Sequence, residues 1–363
     1  MTPAPSPPSL GSRRRLGSLD AAVSEALPRI RAVARPFVSV VMPVRDCASF
    51  LPEAIDSILA QTYPHFELII VDNGSTDGSQ DVADGYALRD RRVRTISRPE
   101  ADVNGAMNAG VRLARGAWIA RMDADDIAVR ERLALSVAWA EQNGLDVCGG
   151  QAETFGGDGP ALWFPEDHAS ICRELLFRCS MLYPSSMIRA TVLRDNPHMA
   201  GSVFDDYELF TRLAPRYRLG NAPEVLVRYR RHERQSTLVR RLEFSRDFRR
   251  YRFRYFYAVH PQTPLAEYLP LARVSDRASL PTLTELEQAG RWLVRLARCP
   301  DPQVREAMAE RWQKACQRSA ALGDDVDTVF RRFEARLRED AEALERADAE
   351  ALERPDGGGD GEQ

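Results

Sequence analysis

Apolar and polar positions follow two alternating periods from residue 37 onward. Phe37–Val44 (FVSVVMPV) and Phe66–Val71 (FELIIV) are short, mainly apolar runs, the pattern of parallel strands buried on both faces. Between them, Ala48–Gln61 carries Leu51, Ile55, Ile58 and Leu59 at helical spacing. A second helix is predicted over Gly78–Leu88, a third strand over Val93–Ser97, a helix over Asn104–Arg115 and a fourth strand over Ala117–Met122. This rhythm predicts an α/β layered sheet, in which ligands gather beyond the C-terminal ends of the strands.

After Val129 the pattern predicts a helix to about Asn143 and a strand near Asp146–Gly150. Glu153–Pro165, rich in glycine, reads as a loop. Helices near Ser170–Arg178 and Tyr207–Leu213 and a strand at Glu224–Tyr229 follow, and the remainder reads as helical. Residues 1–36 form a Pro/Ser/Arg-rich leader, 236–340 a helical region, and 341–363 an acidic, Gly-rich tail expected to be disordered. Near that tail Asp-Ala-Glu-Ala-Leu-Glu-Arg occurs twice, at Asp340–Arg346 and Asp348–Arg354.

Composition narrows the function classes. The 363 residues carry a formal net charge of −3, which argues against a dedicated nucleic-acid binder. No apolar run approaches the ~20 residues of a membrane-spanning helix, and the mean hydropathy is −0.38. Six scattered cysteines with no Cys-x-x-Cys pair suit a reduced, cytoplasmic compartment. Ser12-Arg13-Arg14 has the look of a twin-arginine export signal, but Asp20 and Glu25 interrupt the apolar stretch such a signal needs. Lys314 is the only lysine, so a lone arginine weighs little as a sign of phosphate binding.

The candidate chemistry lies at the strand ends. Met122-Asp123-Ala124-Asp125-Asp126 places three carboxylates directly after a buried strand. Such a cluster repels itself unless a cation joins it, and carboxylates are hard ligands suited to Mg²⁺ or Mn²⁺. A solvated acidic turn capping the next helix is the plainer alternative. Asp72, in Val71-Asp72-Asn73-Gly74-Ser75-Thr76-Asp77-Gly78, could accept hydrogen bonds from a nucleobase or ribose, while Asp77 could cap a helix. The first strand ends at Pro43-Val44-Arg45-Asp46. Three polar strand ends together describe a nucleotide site at the edge of a sheet.

These stretches resemble family 2 glycosyltransferases with the GT-A fold. VSVVMPVRD, AIDSILAQTYPHFELIIVDNGSTDGS, NGAMNAGVRLARGAWIARMDADDI and FDDYELFTRL stand in the family's order from Val38 to about Ser236, just over half the chain. The resemblance implies an α/β, GT-A (Rossmann-like) mixed but mainly parallel sheet flanked by helices. Residues 37–235 would form the glycosyltransferase domain, with donor half 37–126 and acceptor half 127–235. It further implies an inverting hexosyl- or hexosaminyl-transferase that uses Mn²⁺ or Mg²⁺, a nucleotide-sugar donor, expected to be UDP-linked, and a glycan or lipid-linked acceptor. Asp72 would contact the base, Asp123 the ribose and Asp125 the metal, while Asp206 of Asp205-Asp206-Tyr207-Glu208-Leu209 would be the catalytic base. Pro43, Asp46, Arg98 and Asn104 complete the expected donor contacts. His232, in Val227-Arg228-Tyr229-Arg230-Arg231-His232, would reach the metal or diphosphate, or else be structural. A helix N-terminal acid stabilised by the dipole is the alternative for Asp206.

The chain departs from the family's pattern at Arg45-Asp46, where Tyr-Asn is common, at Asp205, where Glu is frequent, and at Tyr183-Pro184, where His often precedes the proline. Gln288-Ala289-Gly290-Arg291-Trp292 matches a signature of processive polysaccharide synthases, but also fits one face of an ordinary helix. Arg216–Tyr257 holds thirteen arginines against four acids, with Phe244, Phe248, Tyr251 and Tyr255 at helical spacing. It reads either as an amphipathic helix packing its aromatic face on the catalytic domain or as a peripheral membrane surface at the inner face of the cell membrane. Homo-oligomerisation through the C-terminal helices stays open, as does a catalytically degenerate relative acting as a scaffold. A sugar-nucleotide nucleotidyltransferase is disfavoured, since Pro43–Ala48 lacks a glycine-rich phosphate loop.

Overall fold

The computed structural model describes residues 36–157, 159–233, 235, 239–262, 268, 282–297 and 302–318, with scattered residues from 326 to 335. Apart from Pro36, the expected leader lies outside the described residues, as does the acidic tail.

Four parallel strands, β1 (Val38–Val44), β2 (Phe66–Asn73), β3 (Val93–Arg98) and β4 (Trp118–Arg121), form the first half in the order β3-β2-β1-β4. Every residue of β1, β2 and β4 is buried, as their apolar composition demands. The register sets Val44 beside Asp72 and Asn73 beside Arg98, so the polar strand ends converge on one edge. The crossovers are α1 (Leu51–Leu59), α2 (Ser79–Ala87) and α3 (Val103–Leu113). Helix α1 has a proline in its first turn and buries Leu51, Ala54, Ile55 and Ile58. Helix α3 is capped by Asp102, whose carboxylate accepts from the Asn104 and Gly105 amides. A polar clamp closes the opposite edge: the Ser39 hydroxyl donates to Glu67 (2.8 Å), and Glu67 also accepts from Arg94 (2.9 Å) and the Arg115 amide (2.9 Å).

The second half is of mixed direction. Its strands are β5 (Ile127–Ala128), β6 (Val147–Phe155), β7 (Met187–Arg189) and β8 (Leu219–Arg230), and the sheet order is β3-β2-β1-β4-β7-β6-β8-β5. Strand β6 outruns its expected end at Gly150. Parallel pairing with β8, from Val147 opposite Leu219 to Phe155 opposite Arg230, carries it through an irregularity at Gly150–Ala152 into the segment expected to be a loop. Helices α4 (Arg132–Gln142), α5 (His168–Glu174), α6 (Ala190–Asp195) and α7 (Asp205–Leu213) flank this half. Strands β5 and β7 and helix α6 were not expected from the sequence; two to six residues are too few to show a period.

The C-terminal helices are α8 (Arg241–Val259), α9 (Leu283–Ala297) and α10 (Pro302–Arg318). Helix α8 turns its aromatic face to α7 and the residue before it: Phe248 packs at a tilt on Tyr207 (4.8 Å) and Phe244 on Phe204 (5.0 Å), while Tyr251 and Tyr255 are buried. In the Gln288–Trp292 match, Trp292 packs edge-on against Phe256 (5.4 Å), and a β-carbon on Gly290 would meet the Phe333 ring at 2.6 Å. Packing thus accounts for that segment. One apolar core runs from Val41 and Ile69 of the sheet to Trp292 and Trp312 of the helices. Among the described residues no helix is long and apolar enough to cross a membrane.

Gly110 marks the tightest approach of helix to sheet. A β-carbon there would lie 2.3 Å from Val41 Cγ1 in the fully buried β1. Gly110→Ala should therefore lower stability by about 1–3 kcal/mol, read as an earlier midpoint in urea unfolding at unchanged m-value.

Candidate active site

Strand β4 ends in a buried arginine followed by acids. Arg121 is 8% exposed; its Nε donates to Asp123 Oδ1 (2.9 Å) and its Nη1 to Asp205 Oδ2 (3.1 Å). The guanidinium lies 4.4 Å over the Tyr183 ring. A second buried arginine, Arg132 of α4, fixes the backbone here by donating to the Arg121 carbonyl (2.5 Å) and Met122 Sδ (3.0 Å). Burial lowers the Arg132 pKa to about 10, against the pull of Asp123 and Asp126.

Carboxylate oxygens of Asp123, Asp125 and Asp126 lie within 4.8 Å of one another. Burial, and then the charge of Asp123, raises the pKa of Asp125; the same causes, with Asp125 added, lift Asp126 well above its ordinary value. Asp125 Oδ2 is 2.9 Å from His232 Nε2, and Asp126 Oδ1 accepts from the Arg230 amide (2.8 Å). Arg230 also donates through Nε to the Asp125 carbonyl (2.7 Å) and pairs with Glu53. Two buried polar atoms here have no partner: Asp126 Oδ2 and His232 Nδ1. An oxygen-rich cluster of raised carboxylates with an orphaned oxygen and an imidazole at its rim fits a hard divalent cation.

Asp206 stands in the first turn of α7, partly exposed. Its Oδ1 accepts from the Tyr207 amide (2.7 Å). Burial, then the adjacent Asp205 charge, raises its pKa to about 7. Arg121 thus links the end of β4 directly to the start of the helix that carries Asp206.

The expected donor residues divide. Asp72 Oδ2 accepts from the Ser75 amide (3.2 Å), while its buried Oδ1 has no partner and remains available to a ligand. Asp46, with φ 49°, accepts from the Thr76 amide (2.8 Å) and hydroxyl (3.3 Å), so its carboxylate latches the turn after β2. Asp77 reaches the Ala48 amide (2.8 Å) as well as the Ser79 amide (3.0 Å), bridging two strand ends. Pro43 is buried within β1. Asn104 is buried, donating to the Ser202 carbonyl (2.7 Å) with its Oδ1 unpartnered. The Arg98 guanidinium lies over the start of α3, where a β-carbon on Gly105 would meet Nη1 at 2.6 Å. Arg121 and Arg230 were not marked by the sequence reading. The signal for the first was present: Arg121 is the one charged residue in the buried Trp118–Arg121 run.

Comparison with known proteins bears on the family and the fold. The family model "Glycosyl transferase family 2" matches residues 39–202. The O-antigen biosynthesis glycosyltransferase WbnJ of Escherichia coli is 31% identical over 209 residues, an alignment covering 55% of this chain and 81% of WbnJ. The chain belongs to glycosyltransferase family 2. A glycosyltransferase of Bacillus subtilis, EpsJ, is 38% identical over 114 residues, but that match spans 31% of this chain and only a third (33%) of EpsJ. Among solved structures, S. aureus TarS 1-349 in complex with UDP-GlcNAc has a TM-score of 0.51 at 16% identity, covering 87% of this chain and 92% of that one. The mannosyltransferase PcManGT from Pyrobaculum calidifontis, in complex with GDP-Man and Mn²⁺, has a TM-score of 0.51 at 19% identity, covering 89% and 93%. These likenesses show the GT-A-like fold that the sequence led us to expect.

Arg121 is the member of this family 2 site whose loss should be felt in folding. Arg121→Leu leaves Asp123 and Asp205 without their shared cation and should cost about 3 kcal/mol. Denaturant titration checks this, with Arg121→Lys expected to recover only part because a point charge cannot fork to both carboxylates.

Proposed function

We propose that this family 2 member is a metal-dependent inverting glycosyltransferase. It moves a sugar from a nucleoside-diphosphate donor, UDP-linked, to a hydroxyl of a glycan or glycolipid acceptor, in cytoplasmic steps of polysaccharide or cell-envelope glycan synthesis. The observation that carries this reading is the joining of the Asp123–Asp126 cluster to the Asp206 helix through Arg121. The names of WbnJ and of the UDP-GlcNAc and GDP-Man complexes support the substrate class.

In this reading the unpartnered Asp72 Oδ1 receives a donor group of the base, with Asp46 holding its turn and Arg98 and Asn104 flanking the donor. Asp123, fixed by Arg121, meets the ribose. Asp125 and His232 hold Mn²⁺ or Mg²⁺, which when bound offsets the charge on the departing diphosphate. Asp206 takes the proton of the acceptor hydroxyl as the new C–O bond forms and the bond to the diphosphate breaks. A single displacement of this kind needs one base and no general acid. Residues 37–126 serve the donor and 127–235 the acceptor, and the helices of 236–340 brace the acceptor side.

Calorimetric titration with UDP, GDP and dTDP, each with and without Mn²⁺, tests the donor site. We expect metal-dependent binding of UDP that Asp125→Ala abolishes. A folded protein that binds none of the three overturns the donor reading and leaves the scaffold.

A pKa of about 7 makes a separate claim for Asp206. Only the ionised carboxylate can accept a proton, so kcat/KM should climb as pH rises through about 7 and then level off. Asp206→Asn should remove that limb, leave UDP binding intact, and lower turnover by about a hundredfold to ten-thousandfold. Near-normal turnover would remove Asp206 as the base.

A further inference from the structure

Once α8 has buried its aromatic face, its outer face is left over. Leu242 is 84% exposed and Phe253 42%. The two are eleven residues apart, close to three turns, so they crown the same side of the helix about 16 Å apart. Arg246, Arg249, Arg250 and Arg254 stand exposed on or beside that side. The two acids of α8 offset them only in part: Glu243 lies in the first turn beside Arg240 (3.7 Å), and Asp247 is buried, accepting from the Val203 amide (2.9 Å) and lying 3.8 Å from Arg246 Nε.

Toward its C-terminal half this face meets a cleft of about 600 Å³ between α7 and α8. Arg212, Arg216 and Arg254 line it, with one carboxylate, Glu208. Arg212 holds both Glu208 oxygens at 3.0 Å, and Arg254 Nη1 lies 3.9 Å away. The lining therefore carries more guanidinium charge than carboxylate. Tyr257 Oη is buried in the same lining without a hydrogen-bond partner. Glu208, Thr211 and Arg212 recur at helical spacing on the side of α7 turned away from Asp206, so an occupant here does not meet the proposed base.

We propose that this surface seats the protein on an anionic lipid membrane, with a lipid phosphate headgroup in the Arg212–Arg216–Arg254 cleft and Leu242 and Phe253 set into the interface. A free phosphate ion would use the cleft alone; it would have no need of a further arginine stripe tipped by two apolar side chains. Each basic side chain near an anionic leaflet strengthens partition about fivefold, and salt screens the effect. The protein as a whole is negatively charged, so attraction to such a leaflet depends on this face being the one presented.

The test is co-sedimentation of the full chain with vesicles of phosphatidylcholine alone and of phosphatidylcholine mixed with phosphatidylglycerol. Binding is expected only to the mixed vesicles and should be lost in about 1 M salt. The double variant R216A/R254A should weaken it about 25-fold. Leu242→Ser, at an exposed position that leaves the core untouched, should weaken it about tenfold. A thermal melt and the UDP titration with Mn²⁺ serve as controls and should not change in either variant, which separates failure of this surface from failure of the donor site. Equal binding to both vesicle types, no binding to either, or full release by inorganic phosphate at matched ionic strength would overturn the proposal, the last by showing a site for the free ion.

Discussion

The guanidinium of Arg121 sits where two acidic clusters would otherwise face each other without a cation between them. On one side stand Asp123, Asp125 and Asp126 after β4; on the other, Asp205 and Asp206 open α7. By bonding Asp123 and Asp205 at once, and by resting on the Tyr183 ring, Arg121 makes the approach of β4 and α7 electrostatically tolerable. Only a planar fork with several donors can do this from one position. The arrangement leaves Asp125, Asp126 and Asp206 without a direct bond from Arg121; burial first, and then a neighbouring carboxylate, raises the pKa of all three, and burial raises that of Asp205 as well. Raised carboxylates thus gather around the positions proposed to meet a metal and an acceptor proton.

The sheet explains how residues so far apart in the chain meet. The parallel half can deliver side chains to one edge only, because every crossover returns the chain to the opposite end. The second half adds to that same edge. Strand β8 is parallel to β6, and β6, like β4, is antiparallel to β7, so β8 points the same way as β1–β4 and its end brings Arg230 and His232 onto the acids after β4. Helix α7 is held by the C-terminal helix that packs on it through Phe248 and Tyr207. The helices beyond residue 236 are thus continuous with the site's support through one shared core.

How much of this was legible in the sequence follows from how each residue does its work. Strands β1, β2 and β4 were visible because burial on both faces forces an apolar run. The acids after β4 stood out because charge directly after such a run is costly without a purpose. Strands β5 and β7 were invisible, being two and three residues long and defined by their partners. Asp46 shows another limit: a carboxylate that latches a neighbouring turn and one that binds a ligand have the same sequence signature, and the bond to Thr76 comes only with the fold. Arg121 was passed over because the chain uses arginine almost everywhere, which blunted the one arginine whose burial mattered.

The arginine-rich segment shows the same ambiguity at the scale of a helix. Its aromatic positions and its arginines could be read as rival explanations, one of packing and one of surface binding. In α8 they occupy different faces: Tyr251, Tyr255 and Phe256 enter the core, while Arg246, Arg250 and Arg254 stay outside with Leu242 and Phe253 between them. A nineteen-residue helix has enough circumference for both. Burying the aromatic side fixes the rotation of the helix, and that rotation decides which arginines can face a partner. Arg252, one of six arginines in the helix, is buried and excluded from that surface. A count of charges along the segment could not have made this distinction, because it depends on the helix being pinned to α7.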